Sequence, residues 1–382
     1  MIYAFDYETL KLVWWLLCGV LLIGFAMLDG FDLGVGVLLP FVARSDDERR
    51  VLLNAVGPTW EGNQVWLITG AAATFAAFPL LYAAAFSGFY VVLMLTLFAL
   101  FFRPVGFDYR GKLADPRWRS FWDWGIFVAG AVPALVFGVA FGNLLLGVPF
   151  HYDTDARVFY TGSFVGLLNP FGLLAGLVGL ALLTMHGGLF LQLRTEGEIQ
   201  ARAARAARLA AFVFLVAFTV AGVWVAFGIE GYRIVNMPPA DSAFTPLAKT
   251  VERIPGAWLS NYSKYPWSAA APAAAVGGAI FAVVASLSGR ALTAFILSCA
   301  TVAGVVLTAG FALFPFLMPS STDMASSLTV YDAASSRRTL QVMFWSVLIL
   351  LPLIIGYTSW VYRVMRGKVT VARVHEDEHA LY

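Results

Sequence analysis

A chain of 382 residues that is 60% hydrophobic and only 13% charged departs far from a soluble domain, which averages roughly 45–50% apolar and about 25% charged residues. That excess cannot be hidden in a water-soluble core, so a soluble enzyme is excluded, and a net charge of +2 gives no sign of nucleic-acid binding. Cys18 and Cys299 both lie in apolar stretches, which argues against a disulfide framework and against a thiolate metal site.

Apolar runs broken by charge or by Pro/Gly punctuation predict membrane spans over 12–40, 61–78, 80–102, 123–146, 164–192, 209–230, 268–287, 291–317 and 339–362. The expected fold is an all-α integral membrane protein of about nine helices, each of about 20 residues. Residues 1–382 form a single polytopic membrane domain without a soluble domain. The first run shows no signal-peptide cleavage pattern and is read as a retained helix. The second and third runs meet at Phe78-Pro79; together they are too long for one span, so Pro79 divides them. The basic, Ala-rich stretch Gln200–Leu209 reads as a loop-end helix at an anionic membrane surface.

Counting Lys and Arg by side puts 17 on the face carrying the 103–121 segment and the C-terminus, and 8 on the other. The positive-inside rule then places the N-terminus outside and the C-terminus in the cytoplasm. Trp14, Trp15, Trp122, Trp124 and Trp267 fall near predicted helix ends, as interfacial anchors do.

Charges inside the spans carry the functional signal, because an ionisable group in hydrocarbon costs at least about 2.5–3.5 kcal/mol. Asp29-Gly30-Phe31-Asp32 sets two carboxylates on one face of the first helix. The Gly30-xxx-Gly34 spacing beside them permits close approach of another helix. The pair reads either as a proton relay or cation site, or as a group neutralised by an arginine or backbone donors. Trp60-Glu61-Gly62-Asn63-Gln64-Val65-Trp66 gives a polar start to an apolar helix. Glu61 and Gln64 share a face there, and Glu61 also suits a first helical turn. In Phe102-Arg103-Pro104-Val105-Gly106-Phe107-Asp108-Tyr109-Arg110, Pro104 and Gly106 are expected to end the helix. Asp108 between Arg103 and Arg110 then suggests a structural ionic corner in a cytoplasmic loop.

Histidine is scarce, with four in the chain. His151, His375 and His379 fall in loops or the tail, and only His186, beside Met185, lies in a span. One intramembrane imidazole cannot build a stack of bis-His haems, and His186 reads as a packed residue. No metal cluster, phosphate loop, nucleophile triad or dinucleotide fingerprint is visible. From these residues alone, a stand-alone proton-coupled transporter is a strong reading.

The chain also resembles subunit II of the cytochrome bd quinol oxidases over essentially its whole length. The resemblance rests on Trp14-Trp15-Leu16-Leu17, Asp29-Gly30-Phe31-Asp32-Leu33-Gly34-Val35-Gly36 and Gly62-Asn63-Gln64-Val65-Trp66-Leu67-Ile68-Thr69. It continues in Tyr82-Ala83-Ala84-Ala85-Phe86-Ser87-Gly88-Phe89-Tyr90, Phe101 to Arg110, Gly138-Val139-Ala140-Phe141-Gly142-Asn143-Leu144-Leu145, Leu168 to Gly176 and Phe314 to Ser321. It implies a multi-pass subunit in the bacterial plasma (inner) membrane, paired with subunit I and, in some members, with small single-helix accessory subunits. The implied reaction of the complex is quinol oxidation coupled to O2 reduction to water. Haems b and d are expected in subunit I and none in this chain, with a structural quinone or lipid as an added ligand. The resemblance puts Glu61, Asp32, Asp29, Trp60 and Gln64 on a proton pathway and Trp66 on an oxygen path. The family commonly has Asp where this chain has Glu61. A purely structural scaffold for a redox partner is the third reading.

Overall fold

The computed structural model describes residues 5–239 and 246–376; His379 lies outside them. In chain order the helices are α1 (Tyr7–Val42), α2 (Asp46–Val56), α3 (Trp60–Ala77), α4 (Pro79–Gly88), α5 (Tyr90–Tyr109), α6 (Pro116–Leu146) and α7 (Phe164–Leu167). They continue with α8 (Pro170–Arg194), α9 (Gly197–Phe227), α10 (Ser260–Lys264), α11 (Ala270–Leu287), α12 (Ala291–Leu313), α13 (Arg337–Val364) and α14 (Val371–Glu376). Three short antiparallel hairpins occupy loops at one end of the bundle. They pair β1 (Phe150–Tyr152) with β2 (Val158–Tyr160), β3 (Glu230–Asn236) with β4 (Thr250–Pro255), and β5 (Phe316–Met318) with β6 (Leu328–Thr329).

Eight helices among the described residues, α1, α5, α6, α8, α9, α11, α12 and α13, are long and apolar enough to cross a membrane. The expected span 61–78 corresponds to α3, whose 18 residues begin with Glu61, Asn63 and Gln64. The chain breaks at Phe78 before Pro79, which takes the first position of α4, because the ring has no N–H to lose there. The expected single helix over 80–102 is instead two. It breaks at Phe89, after Gly88, where a Cβ would stand 3.0 Å from the Tyr160 ring.

The other difference concerns Pro104. α5 runs through it to Tyr109, so Pro104 and Gly106 do not end the helix. A proline costs one backbone hydrogen bond, and packing offsets that loss. Gly106 lies against α6, where a Cβ would come within 2.8 Å of Ile126. The glycine serves helix contact and not termination. Gln200–Leu209 likewise belongs to the first third of α9 and not to a separate loop-end helix. Its alanines pack on α8 at Gly188, while Arg202 reaches Glu48 at 2.6 Å. Among the expected tryptophan anchors, Trp124 and Trp267 are exposed, Trp122 is packed, and Trp14 is buried with its indole N–H donated to Leu340 O at 2.9 Å.

The second half of α1 is the axis of the bundle, buried without interruption from Asp29 to Leu39. Small residues make this possible. A Cβ on Gly34 would meet the Leu183 carbonyl oxygen of α8 at 1.9 Å, and one on Gly130 of α6 would meet the Leu33 carbonyl oxygen at 2.4 Å. Close backbone approach through glycine replaces the hydrophobic driving force that lipid cannot supply.

The end bearing α2 is tied by charge. Arg110 bonds Asp123 at 2.6 Å and Asp46 at 2.7 Å, Arg119 bonds Asp46 at 2.6 Å, and Arg49 reaches Asp123 at 3.2 Å. The C-terminal segment crosses this end, with Val369 N–H donated to Arg194 O at 2.8 Å and Val374 buried. At the hairpin end Lys249 is buried against Asp332 at 2.6 Å. Burial pushes its ammonium below the usual lysine range, and the Asp332 carboxylate offsets part of that.

The glycine contacts generate a prediction. Gly34→Val forces α1 away from α8 and should abolish recovery of monodisperse protein in detergent. Gly222→Ala, at a position with open space around it, should leave recovery unchanged. Equal recovery of both variants, read by size-exclusion chromatography, would contradict the packing described.

Candidate functional site

Four elements bring a polar cluster into the half of the bundle nearest α2. α1 supplies Asp29 and Asp32, both buried, at one-turn spacing. α5 supplies Arg103, one residue before Pro104, which is 3% exposed and ion-paired with Asp29 Oδ1. α3 supplies Trp60, Asn63 and Gln64. Asn63 Nδ2 donates to Asp32 Oδ2 at 2.7 Å, and Arg103 Nη2 approaches Gln64 Oε1 at 3.5 Å. α13 supplies Tyr362, whose hydroxyl donates to Asn63 Oδ1 at 2.7 Å.

Aromatic surfaces enclose the cation. The Arg103 guanidinium lies 5.1 Å from the Trp60 ring centre, and Trp60 stacks on Phe107 at 5.4 Å. Such a contact favours a desolvated guanidinium by about 2 kcal/mol. Several buried polar atoms have no protein partner: Asp29 Oδ2, Asp32 Oδ1, Arg103 Nε and Nη1, and Trp60 Nε1. A cavity of about 10 Å³ opens beside Asp32 and Arg103, bounded by Leu39, Leu53, Val56 and Phe107. It is about the size of one water molecule.

The structure therefore joins Asp29, Asp32, Trp60, Gln64 and Arg103 in one cluster and leaves four of the sequence candidates apart. Glu61 is exposed, because it lies on the side of α3 away from Asn63. Asp108 is also exposed and makes no ion pair among the described residues. The expected ionic corner is thus divided. Arg103 serves the bundle interior, Arg110 serves the α2 end, and Asp108 joins neither. Trp66 is half-buried, its indole laid over Gly24 of α1, where a Cβ would stand 2.4 Å away.

Two residues, one in this cluster and one at the α2 end, were missed by sequence reasoning. Tyr362 lies 299 residues from Asn63, and an aromatic residue near a helix end reads as an interfacial anchor. Asp123, the partner of Arg110 and Arg49, left a usable signal as a carboxylate at the first residue of an expected span. His186 is confirmed as packed. Its Nδ1 is 2.7 Å from Ser298 Oγ, its Nε2 is 2.9 Å from Met27 O, and its ring stacks on Phe295.

Breaking the ion pair tests its weight. Arg103→Gln strands Asp29 inside the bundle and should cost about 3–5 kcal/mol, as removal of one partner of a buried pair does. Adding Asp29→Asn should recover most of that loss, measured as the thermal unfolding midpoint in detergent. Additive losses in the double variant would contradict a direct pair.

Residues 10–365 match the family model described as cytochrome bd terminal oxidase subunit II. The chain is 52% identical to cytochrome bd-I ubiquinol oxidase subunit 2 of Escherichia coli (strain K12), over 99% of this chain and 100% of that one. It is 34% identical to cytochrome bd ubiquinol oxidase subunit 2 of Bacillus subtilis (strain 168), over 94% and 96% of the two chains. In fold it is similar to a chain of the bd oxidase structure from Geobacillus thermodenitrificans. The TM-score is 0.63 at 12% identity, covering 96% of this chain and 100% of that one. The chain belongs to the cytochrome bd terminal oxidase subunit II family.

Proposed function

We propose that this chain is subunit II of a bacterial bd-type quinol oxidase in the inner membrane, completing the complex with a haem-bearing subunit I. The observation that carries this reading is the family match across residues 10–365, which also sets aside the stand-alone transporter. The complex oxidises quinol and reduces O2 to water. This chain contributes the frame and a proton supply, and holds no haem. The one imidazole inside the bundle among the described residues, His186, does not fit an axial ligand, since both ring nitrogens are already engaged by Ser298 and Met27.

Nine crossings, with the N-terminus outside and the C-terminus in the cytoplasm, best accommodate the basic residues. α3 is then the ninth crossing, and its polar start lies at the cytoplasmic side beside α2. Exposed Glu61 sits where headgroups or the partner subunit cover it. Trp66, packed on Gly24, lines the proposed oxygen path.

The proton route starts from this geometry. Hydrocarbon admits no proton without polar stepping stones. Asp32 lies about 15 Å by helical rise from Val42, the cytoplasmic end of α1, with Asp29 about 4.5 Å further. One guanidinium cannot neutralise two carboxylates, so a proton shared with the pair balances the charge. Arg103 holds Asp29 as its counter-ion, which leaves Asp32 as the proton carrier. Asn63 is an amide and passes no proton. Held by Tyr362, it fixes one oxygen of Asp32 and leaves Oδ1 free toward the one-water cavity. Glu61 gathers protons at the rim, with Trp60 and Gln64 keeping Arg103 in place.

Quinol-driven O2 uptake, normalised to haem absorbance, tests the route. Asp32→Asn keeps the shape but cannot ionise, and should slow turnover at least tenfold without preventing assembly. Glu61→Gln should slow it less, since water substitutes at the rim, and Glu61→Asp should be tolerated. Normal turnover in both amide variants would give these residues a structural role.

Topology has its own check. Single cysteines at Ser120 and Ser260, in a background with Cys18 and Cys299 replaced, should label from opposite sides of the membrane. Labelling of both from one side would contradict nine crossings.

A further inference from the structure

The arginines of α9 serve different purposes. Arg202 is satisfied inward, by Glu48 at 2.6 Å and by Val42 O at 2.8 Å. Arg208, at the opposite edge of the face that packs on α8, donates to Ser286 Oγ of α11 at 3.2 Å. Ser286 is itself bonded to Gln192 of α8 at 2.8 Å, and both are buried. The chain turns sharply after Ser286, with Arg290 N–H donated to Ala285 O at 2.9 Å. Arg208 and Arg290 therefore flank the same turn, and Arg205 projects from α9 one turn before Arg208.

None of Arg205, Arg208 and Arg290 has a carboxylate partner among the described residues. Arg290 also occupies the N-cap position of α12, where no side chain caps the helix. A cation beside the positive end of a helix is unfavourable unless an anion joins them. The surroundings are apolar. Phe212, one turn from Arg208 toward the membrane centre, and Val284, Leu287 and Leu292 are all exposed.

We propose that the junction of α9, α11 and α12 binds an anionic phospholipid. Its phosphate sits between Arg208 and Arg290, with Arg205 at the edge, and its acyl chains lie along Phe212 and Val284. The arginines' charge calls for an anion, and the exposed apolar residues directly beneath call for a hydrocarbon tail. A phospholipid supplies both in one molecule, as basic pockets between membrane helices require. The floor of the site is the Gln192–Ser286 pair, which holds Arg208 in place. This goes beyond the oxidase function and does not depend on the proton route.

The test uses the intact oxidase complex, stripped of lipid in detergent and titrated with dioleoyl phosphatidylglycerol or dioleoyl phosphatidylcholine. Native mass spectrometry reads the bound lipid. The wild type should retain phosphatidylglycerol preferentially. Arg208→Gln and Arg290→Gln should each lower that preference about fivefold, the worth of one basic group near an anionic lipid. Arg208→Lys should keep most of it. Arg290→Gln alone, in an exposed turn, keeps the test valid if the Arg208 variant fails to fold. An unchanged preference in the Arg290→Gln variant would overturn the proposal. So would displacement of phosphatidylglycerol by inorganic phosphate, which would mark a free-anion site.

Discussion

Two carboxylates and one guanidinium, enclosed together in an apolar bundle, are the constraint around which this chain is built. Burying an unpaired ion costs several kcal/mol, and the Arg103–Asp29 pair is tolerable only with both members in place. That requirement reaches outward. α5 has to lie beside α1 at the depth that lets Arg103, one residue before Pro104, reach Asp29. The buried half of α1 has to be approached closely from two sides, which Gly34 and Gly130 permit. α3 has to present Trp60 and Asn63 inward, which turns Glu61 outward. The polar start that results is also why α3 is not among the eight helices apolar enough by composition to cross a membrane.

The two ends of the bundle are closed by different means. Beside the polar cluster, Arg110, Arg119, Arg49, Asp46 and Asp123 link α2, the turn after α5, and α6. The C-terminal segment adds a strap through Val369 and Val374. At the other end, hairpins and the buried Lys249–Asp332 pair tie the loops together. The proposed proton route uses the first end, where water has the shorter path to Asp32, and the proposed oxygen path uses the α1–α3 contact at Trp66. Neither requires a redox group in this chain, which fits a subunit whose share of the work is to supply and enclose.

Much of this was readable in the sequence, and the failures have physical reasons. Asp29 and Asp32 stood out because hydrocarbon makes a charge expensive, and the glycines beside them correctly signalled a close helix neighbour. Arg103 was recognised but misplaced. Pro104 and Gly106 look like helix terminators by local propensity, whereas tertiary packing of Gly106 on Ile126 accompanies the helix onward to Tyr109. Asp108 looked like a member of an ionic corner because adjacency in sequence was taken for adjacency in space, but it lies five residues after Arg103 and two before Arg110, spacings that put it on a different face from either. Tyr362 could not be read at all, since no local pattern links it to Asn63. Arg208 and Arg290 looked like ordinary positive-inside charge until the fold placed them at one turn.

The central claim is that Asp29 is the fixed charge and Asp32 the exchangeable proton holder. Infrared difference spectroscopy of the complex between its reduced and oxidised states, in the protonated-carboxyl C=O region, tests this most directly. The account predicts a deuterium-sensitive band that Asp32→Asn abolishes and Asp29→Asn leaves in place. A band that disappears with Asp29→Asn and survives Asp32→Asn would reverse the assignment and contradict the account.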